Sequence, residues 1–198
     1  MDKVLPQELV EYVKHGREER NLEYKETLDL GTRSHCCRLS KSAMGMSNVR
    51  YGGVIVIGVR DDGTAVGLSE TVAAKFTQDQ VQTIVNEYAA PFVEVTVTGG
   101  TLPGLSGWFV VIQVNAFTEY PTLCRKDGDG LRQGAMYTRG RRRHETAEVR
   151  TEAELREIIE MAVENGIRGF YRRAEAAGLE ISTDDTSQRQ FDRQLEGL

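Results

Sequence analysis

Proline and cysteine are scarce in this chain, and long apolar runs are missing. Its 198 residues include four prolines, three cysteines and one tryptophan. Cys36 and Cys37 are adjacent and Cys124 is distant, so neither a disulfide framework nor the Cys-x₂₋₄-Cys spacing of a zinc site is present. They read as free thiols of a reducing compartment. No apolar stretch approaches the ~20 residues that span a bilayer. The opening MDKVLPQELVEY lacks the apolar segment of a signal peptide. A cytoplasmic protein without membrane contact is expected. No G-x-x-x-x-G-K-[ST] occurs, and Gly52-Gly53 is not followed by lysine, so no ATP site is evident. His15, His35 and His144 have no triad companions in the sequence.

Positive charge is also in the minority, and the formal net charge is −5. Its distribution is uneven. Residues 125–143 hold seven of the lysines and arginines against two aspartates. A basic block on an acidic chain directs phosphates to one face.

The periodicities predict the elements. PQELVEYVKHG opens with a helix, with Pro6 in its first turn and Gly16 as its stop. LEYK follows as a strand. There Leu22 and Tyr24 point one way and Glu23 and Lys25 the other. Residues 32–48 read as a helix through Cys36, Leu39, Ala43 and Met46, with Gly45 as an interruption. VIVIGV is continuously apolar and reads as a strand buried on both faces. RDDG is its turn, and TAVGL the returning partner strand. Residues 78–89 predict a helix, FVEVTVT a strand, GGTLPGLSG a loop and WFVVIQV a second buried strand. AMYTRG is a short strand and RRRHETAEV a connector. Thr151 and Glu154 form a capping box for a packing helix that stops at Gly166. The fold class expected is α+β, with a mixed, largely antiparallel sheet. Residues 1–166 form the domain. Residues 167–198 form a polar extension, partly helical or without fixed structure, in which Phe191 and Leu195 share a face.

Three places gather polar groups beside rigid elements: Glu18, Glu23 and Lys25; Asp61 at the end of the buried strand; and the arginine cluster Arg139, Arg141, Arg142 and Arg143. A carboxylate and a lysine two apart on a strand share a face, the pairing with which nucleases bind a divalent ion and steady developing negative charge. The same residues also suit a solvated strand face, and Asp-Asp-Gly is ordinary turn chemistry. The arginines, with Lys126 and Arg132, read either as a phosphate track or as a solvated loop.

The order of parts resembles the Schlafen AlbA-like domain. LEYK, Ser47-Asn48, Gly52-Gly53, VIVIGV, Asp61 and Gly67-Leu68 follow that family's order, as do YPTL and MYTRG later on. One extra residue lies between Asn48 and Gly52. The resemblance implies a nucleic-acid-binding protein, with RNA favoured over DNA. Its nuclease members imply a metal-dependent endoribonuclease acting on tRNA or structured RNA. Glu18, Glu23 and Asp61 would then hold Mg²⁺ or Mn²⁺, and Lys25 would assist. The same resemblance also covers non-catalytic binding modules. Members pair as two similar lobes, so a single-copy chain is compatible with a homodimer, and an oligomerising interaction subunit stays open beside the other readings.

Overall fold

The computed structural model describes residues 4–141 and 144–179. The expectations for Arg142, Arg143, Phe191 and Leu195 lie outside the described residues. Helix α1 (Gln7–Lys14) leads into strand β1 (Leu22–Lys25), helix α2 (Arg33–Ser47) and strand β2 (Gly53–Ile57). A short helix α3 (Glu70–Ala73) and helix α4 (Gln78–Tyr88) precede β3 (Ala89–Ala90), β4 (Val95–Thr101) and β5 (Trp108–Val114). Then come β6 (Leu123–Cys124), β7 (Tyr137–Arg139), β8 (Thr146–Glu148) and helix α5 (Glu152–Ala176).

The main sheet has the order β1-β2-β5-β4. β1 and β2 run parallel, and the other pairs are antiparallel. The fold is therefore α+β with a mixed, mostly antiparallel sheet. Alternation along the strands splits the core in two. Ile55, Ile57, Val110 and Ile112 pack on one face with α2 and α4. Val54, Val56, Phe109 and Val111 pack on the other with Leu9, Val10 and Val13 of α1. Leu22 and Tyr24 belong to the second core, so Glu23 and Lys25 point toward α2. This parity places the polar pair under a helix rather than in open solvent.

Several boundaries differ from expectation, each for a local reason. TAVGL forms only isolated bridges, Val59 to Ala65 and Leu68 to Trp108. The Gly58 carbonyl accepts from both Val66 and Gly67 N–H groups, at 2.9 Å each, which folds the segment back before a ladder can form. The β4 strand starts at Val95 instead of Phe92, because α4 side chains take the backbone groups of Val93. Asn86 Oδ1 accepts from Val93 N–H at 2.7 Å, and Gln82 Nε2 donates to Val93 O at 2.5 Å. The same strand runs on through Gly99, Gly100 and Thr101, paired to Val110, Phe109 and Trp108.

Gly45 does not interrupt α2. A Cβ there would lie 2.4 Å from Thr146 Cγ2, so the glycine lets β8 pack closely on the helix. The extra residue before Gly52 is absorbed by a turn in which Tyr51 and Gly52 both have φ of 72°. The Thr151–Glu154 capping box is formed as expected. Gly166 does not stop α5, which continues ten residues to Ala176. A solvent-facing glycine costs a helix about 1 kcal/mol, too little to end one flanked by good helix formers. Among the described residues, no helix is long and apolar enough to cross a membrane.

Candidate functional site

Glu23 is the centre of the polar cluster, and it is buried, with 6% of its surface exposed. Its Oε1 accepts from Ser42 Oγ of α2 at 2.8 Å and lies 2.5 Å from Lys25 Nζ. Its Oε2 accepts from a terminal guanidinium nitrogen of Arg139 at 2.5 Å. Arg139, on β7, is 1% exposed. Its remaining donors meet backbone carbonyls: Arg20 at 2.7 Å, Glu19 at 3.1 Å and Leu22 at 3.3 Å. Burial lowers the pKa of Arg139, and the carboxylates of Glu23, Glu18 and Glu145 oppose that shift. Arg20 returns the contact by donating from Nε to the Arg139 carbonyl at 2.9 Å, while its two terminal nitrogens hold Glu157 of α5 at 2.7 and 2.9 Å.

Glu18 lies at the edge of this cluster. It accepts from the Tyr24 backbone N–H at 2.8 Å. Burial raises its pKa above the usual carboxylate value. The Tyr24 N–H pulls the other way, the charge of Glu23 adds to the rise, and Lys25 and Arg139 counter it. A carboxyl with a raised folded-state pKa contributes stability that is present below its unfolded pKa and lost as pH rises through the folded one. NMR titration of the Glu18 side-chain carbon should give a midpoint above 4.5, the ordinary value. In a Glu23→Gln variant that midpoint should fall, since a like charge is gone and Lys25 and Arg139 then act on Glu18 alone. An unmoved midpoint would show that the two carboxylates do not interact.

Asp61 is exposed and belongs to the open side. It lines a groove of about 420 Å³ with Asp62, Glu26 and Thr27 and the cations Lys25, Arg38 and Arg60, so that three carboxylates face three positive charges. Lys25 thus links the buried Glu23 to the groove that carries Asp61. The expected metal set of Glu18, Glu23 and Asp61 is not assembled. Among the described residues, no group of three or more His, Cys, Asp or Glu side chains is arranged to hold a metal ion. The donor chemistry explains this: both Glu23 oxygens already face cations, and one Glu18 oxygen is held by a backbone N–H. In this arrangement the residues do not fit Mg²⁺ or Mn²⁺.

The arginine cluster also divides. Arg139 is not a phosphate clamp, because its guanidinium is buried and spent on Glu23 and three carbonyls. Arg141 is exposed and stands 3.4 Å from Glu157. Lys126 pairs with Glu87 and lies over the Tyr88 ring, and Arg132 pairs with Glu148. Tyr137 is buried in the core, and its hydroxyl accepts from the Arg132 N–H. A second groove of about 420 Å³ joins Lys41, Arg132 and Arg150 to a single carboxylate, Glu148. Arg38 and Lys41 are one turn apart on α2, so the two grooves flank one stretch of that helix. Sequence reasoning missed Arg38, Lys41, Arg60 and Ser42, which are scattered in sequence and carry no spacing signal. His144, which has no triad companion in the sequence, is half-buried, with its Nδ1 3.1 Å from the Glu18 carbonyl oxygen.

The family model described as Schlafen, AlbA_2 matches residues 18–148, which includes Glu18, Glu23, Lys25, Asp61 and Arg139. No curated protein matches the chain. Among solved structures, it is similar to the DIP2311 protein from Corynebacterium diphtheriae, at 14% identity and a TM-score of 0.48. That likeness covers 72% of this chain and 26% of the other, so the chain spans about a quarter of that protein. With about two thirds of its length matched by the family model, the chain belongs to the Schlafen AlbA_2 family.

Proposed function

We propose that this protein binds nucleic acid, RNA in preference to DNA, across the turn of α2 that carries the exposed Arg38 and the half-buried Lys41. One observation carries the reading: two grooves flank that turn, one in which Lys41, Arg132 and Arg150 face the single carboxylate Glu148, the other in which Lys25, Arg38 and Arg60 stand among Glu26, Asp61 and Asp62. Cations spaced along a surface track a phosphate backbone, and an acidic remainder confines phosphates to that surface by repelling them elsewhere. The buried Glu23–Arg139 pair fixes β1 against β7 and so holds Lys25 at the groove. Arg141 extends the positive surface on the far side of that pair.

A second reading, an endoribonuclease acting on tRNA or another structured RNA, is favoured by the raised pKa of Glu18 beside Glu23 and Lys25. A carboxyl tuned upward in this way suits proton transfer. No step is routed through a metal, because the carboxylates in this arrangement do not fit one.

Fluorescence anisotropy with labelled tRNA and with single-stranded DNA over a salt series tests the binding. The double variant Arg38→Ala/Lys41→Ala should weaken tRNA binding by about ten- to a hundredfold and reduce the salt slope by about two. An unchanged slope would exclude this face. Cleavage is assayed separately, with Mn²⁺ or Mg²⁺, on wild type and on Glu18→Gln. Binding without cleavage leaves the first reading standing alone. Cleavage that Glu18→Gln abolishes supports the second.

A further inference from the structure

A cavity of about 480 Å³ opens at the C-terminal end of α2. Two of its lining residues, Ser47 and Thr122, are buried, and their hydroxyls are spent on each other at 2.6 Å. Two others, Tyr51 and Phe92, are aromatic and stand 89% and 69% exposed. Glu94 and Asn115 supply its polar side, with Asn115 Nδ2 donating to Glu94 Oε2 at 2.8 Å. Among the described residues, no lysine or arginine lines it. Tyr51 is not accounted for by the fold. Its φ of 72° is left-handed, and among the described residues no other non-glycine residue has a positive φ. A bulky side chain is strained there and a glycine is not. Burial of the ring does not offset that strain, since the side chain stands in solvent. The ring therefore serves a contact outside this chain's own core.

We propose that this cavity takes one unpaired nucleobase of a bound RNA strand, stacked on Tyr51 and Phe92. The inference rests on the nucleic-acid reading above and adds that the ligand is single-stranded at this point. Exposed aromatic rings stack on any base, because every base has a π face. The charge of the cavity selects the base over the phosphate. With the Glu94 carboxylate and no cation among its lining residues, it repels phosphate and offers an acceptor to base N–H groups. A base inside a duplex is paired and stacked on its neighbours, so an unpaired one is what such a cavity can take. The position suits the proposed track. Ser47 lies six residues past Lys41 on α2, about 9 Å farther along the helix axis. A strand whose phosphates meet Lys41 reaches the cavity within a few nucleotides.

Fluorescence anisotropy of the full chain with a short single-stranded RNA, and with the duplex of the same sequence, tests this over a salt series. Tyr51→Gly and Phe92→Ala should each weaken single-strand binding by about tenfold, with the salt slope and the duplex affinity unchanged. Tyr51→Phe should bind as the wild type does. Tyr51→Gly should unfold at no lower a temperature than the wild type, because glycine suits a φ of 72°, so its lost binding is not a lost fold. A strand carrying 4-thiouridine should photo-cross-link to the peptides that hold Tyr51 and Phe92. Single-strand binding indifferent to both variants, equal losses on single strand and duplex, a wild type that binds duplex alone, or cross-links confined to other peptides overturns the proposal and leaves the α2 reading standing. A wild type that binds neither form of RNA overturns both.

Discussion

Glu23→Ala should cost the protein about 3–5 kcal/mol of stability, the usual penalty for breaking a buried ion pair. The loss comes mainly from what is left behind. Arg139 keeps its carbonyl partners at Arg20, Glu19 and Leu22, but its charge is buried at 1% exposure with no counterion. Lys25 also loses its partner, at smaller cost because its side chain reaches solvent at the groove. The pair need not be a net stabiliser for this to hold. Glu23→Leu combined with Arg139→Met should recover most of the loss, since a matched apolar pair avoids both desolvation costs. Urea unfolding of the two single variants and the double variant measures the coupling. A loss below about 1 kcal/mol for Glu23→Ala would mean that water reaches Arg139. The result also governs how activity data are read. A Glu23→Ala protein that fails to bind or cleave RNA has lost its scaffold as well as a carboxylate. Glu18→Gln is the cleaner probe, because the amide oxygen can still accept from the Tyr24 N–H.

The sequence carried the frame of this fold in its strongest periodicities. VIVIGV and WFVVIQV are dense in β-branched residues and became β2 and β5, the two central strands. The alternation in LEYK separated Tyr24 from Glu23 and put Glu23 and Lys25 on one face, where they meet at 2.5 Å. The site was harder to read because it is made by tertiary contact. Arg139 looks like any other arginine of TRGRRR, yet it is turned inward. A signal existed: it lies two residues from Tyr137 on a strand, so the two share a face. Ser42 and Arg38 offered no such signal, since a position on a helix says nothing about which strand lies beneath it, and Arg60 sits in the turn after β2, where tertiary contact alone sets its neighbours. The α5 helix erred in the other direction. Leu155 and Ile159 have the spacing of core residues, yet they face away from the domain while Ile158 packs inward. Helical periodicity identifies an apolar face without saying what lies against it.

Asn48→Ala should destabilise by about 3 kcal/mol through loss of hydrogen bonds rather than of charge. Asn48 caps α2 and is 1% exposed. Its Nδ2 donates to the carbonyls of Thr122 and Tyr137, both at 2.8 Å, and its Oδ1 accepts from the Thr122 N–H at 2.8 Å. One side chain thereby satisfies three backbone groups on two separate segments, the loop before β6 and strand β7. Alanine leaves all three unpaired in the interior, each at about 1–3 kcal/mol before relaxation or water entry reduces the sum. Asn48→Asp should be no better at neutral pH. A carboxylate can still accept from Thr122, but it faces two carbonyl oxygens where the amide donated. Part of the loss should return at acid pH, where a protonated Asp regains one donor. The consequence reaches the site, because Tyr137 is two residues from Arg139 on the same strand, and α2 carries Ser42. Loosening the α2–β7 junction should shift the Glu18 titration midpoint in a folded Asn48→Ala protein, although Glu18 itself is untouched. Urea unfolding reads the first effect and NMR the second. A stability loss with an unmoved Glu18 midpoint would mean that the Glu23–Arg139 pair holds β1 to β7 without help from α2.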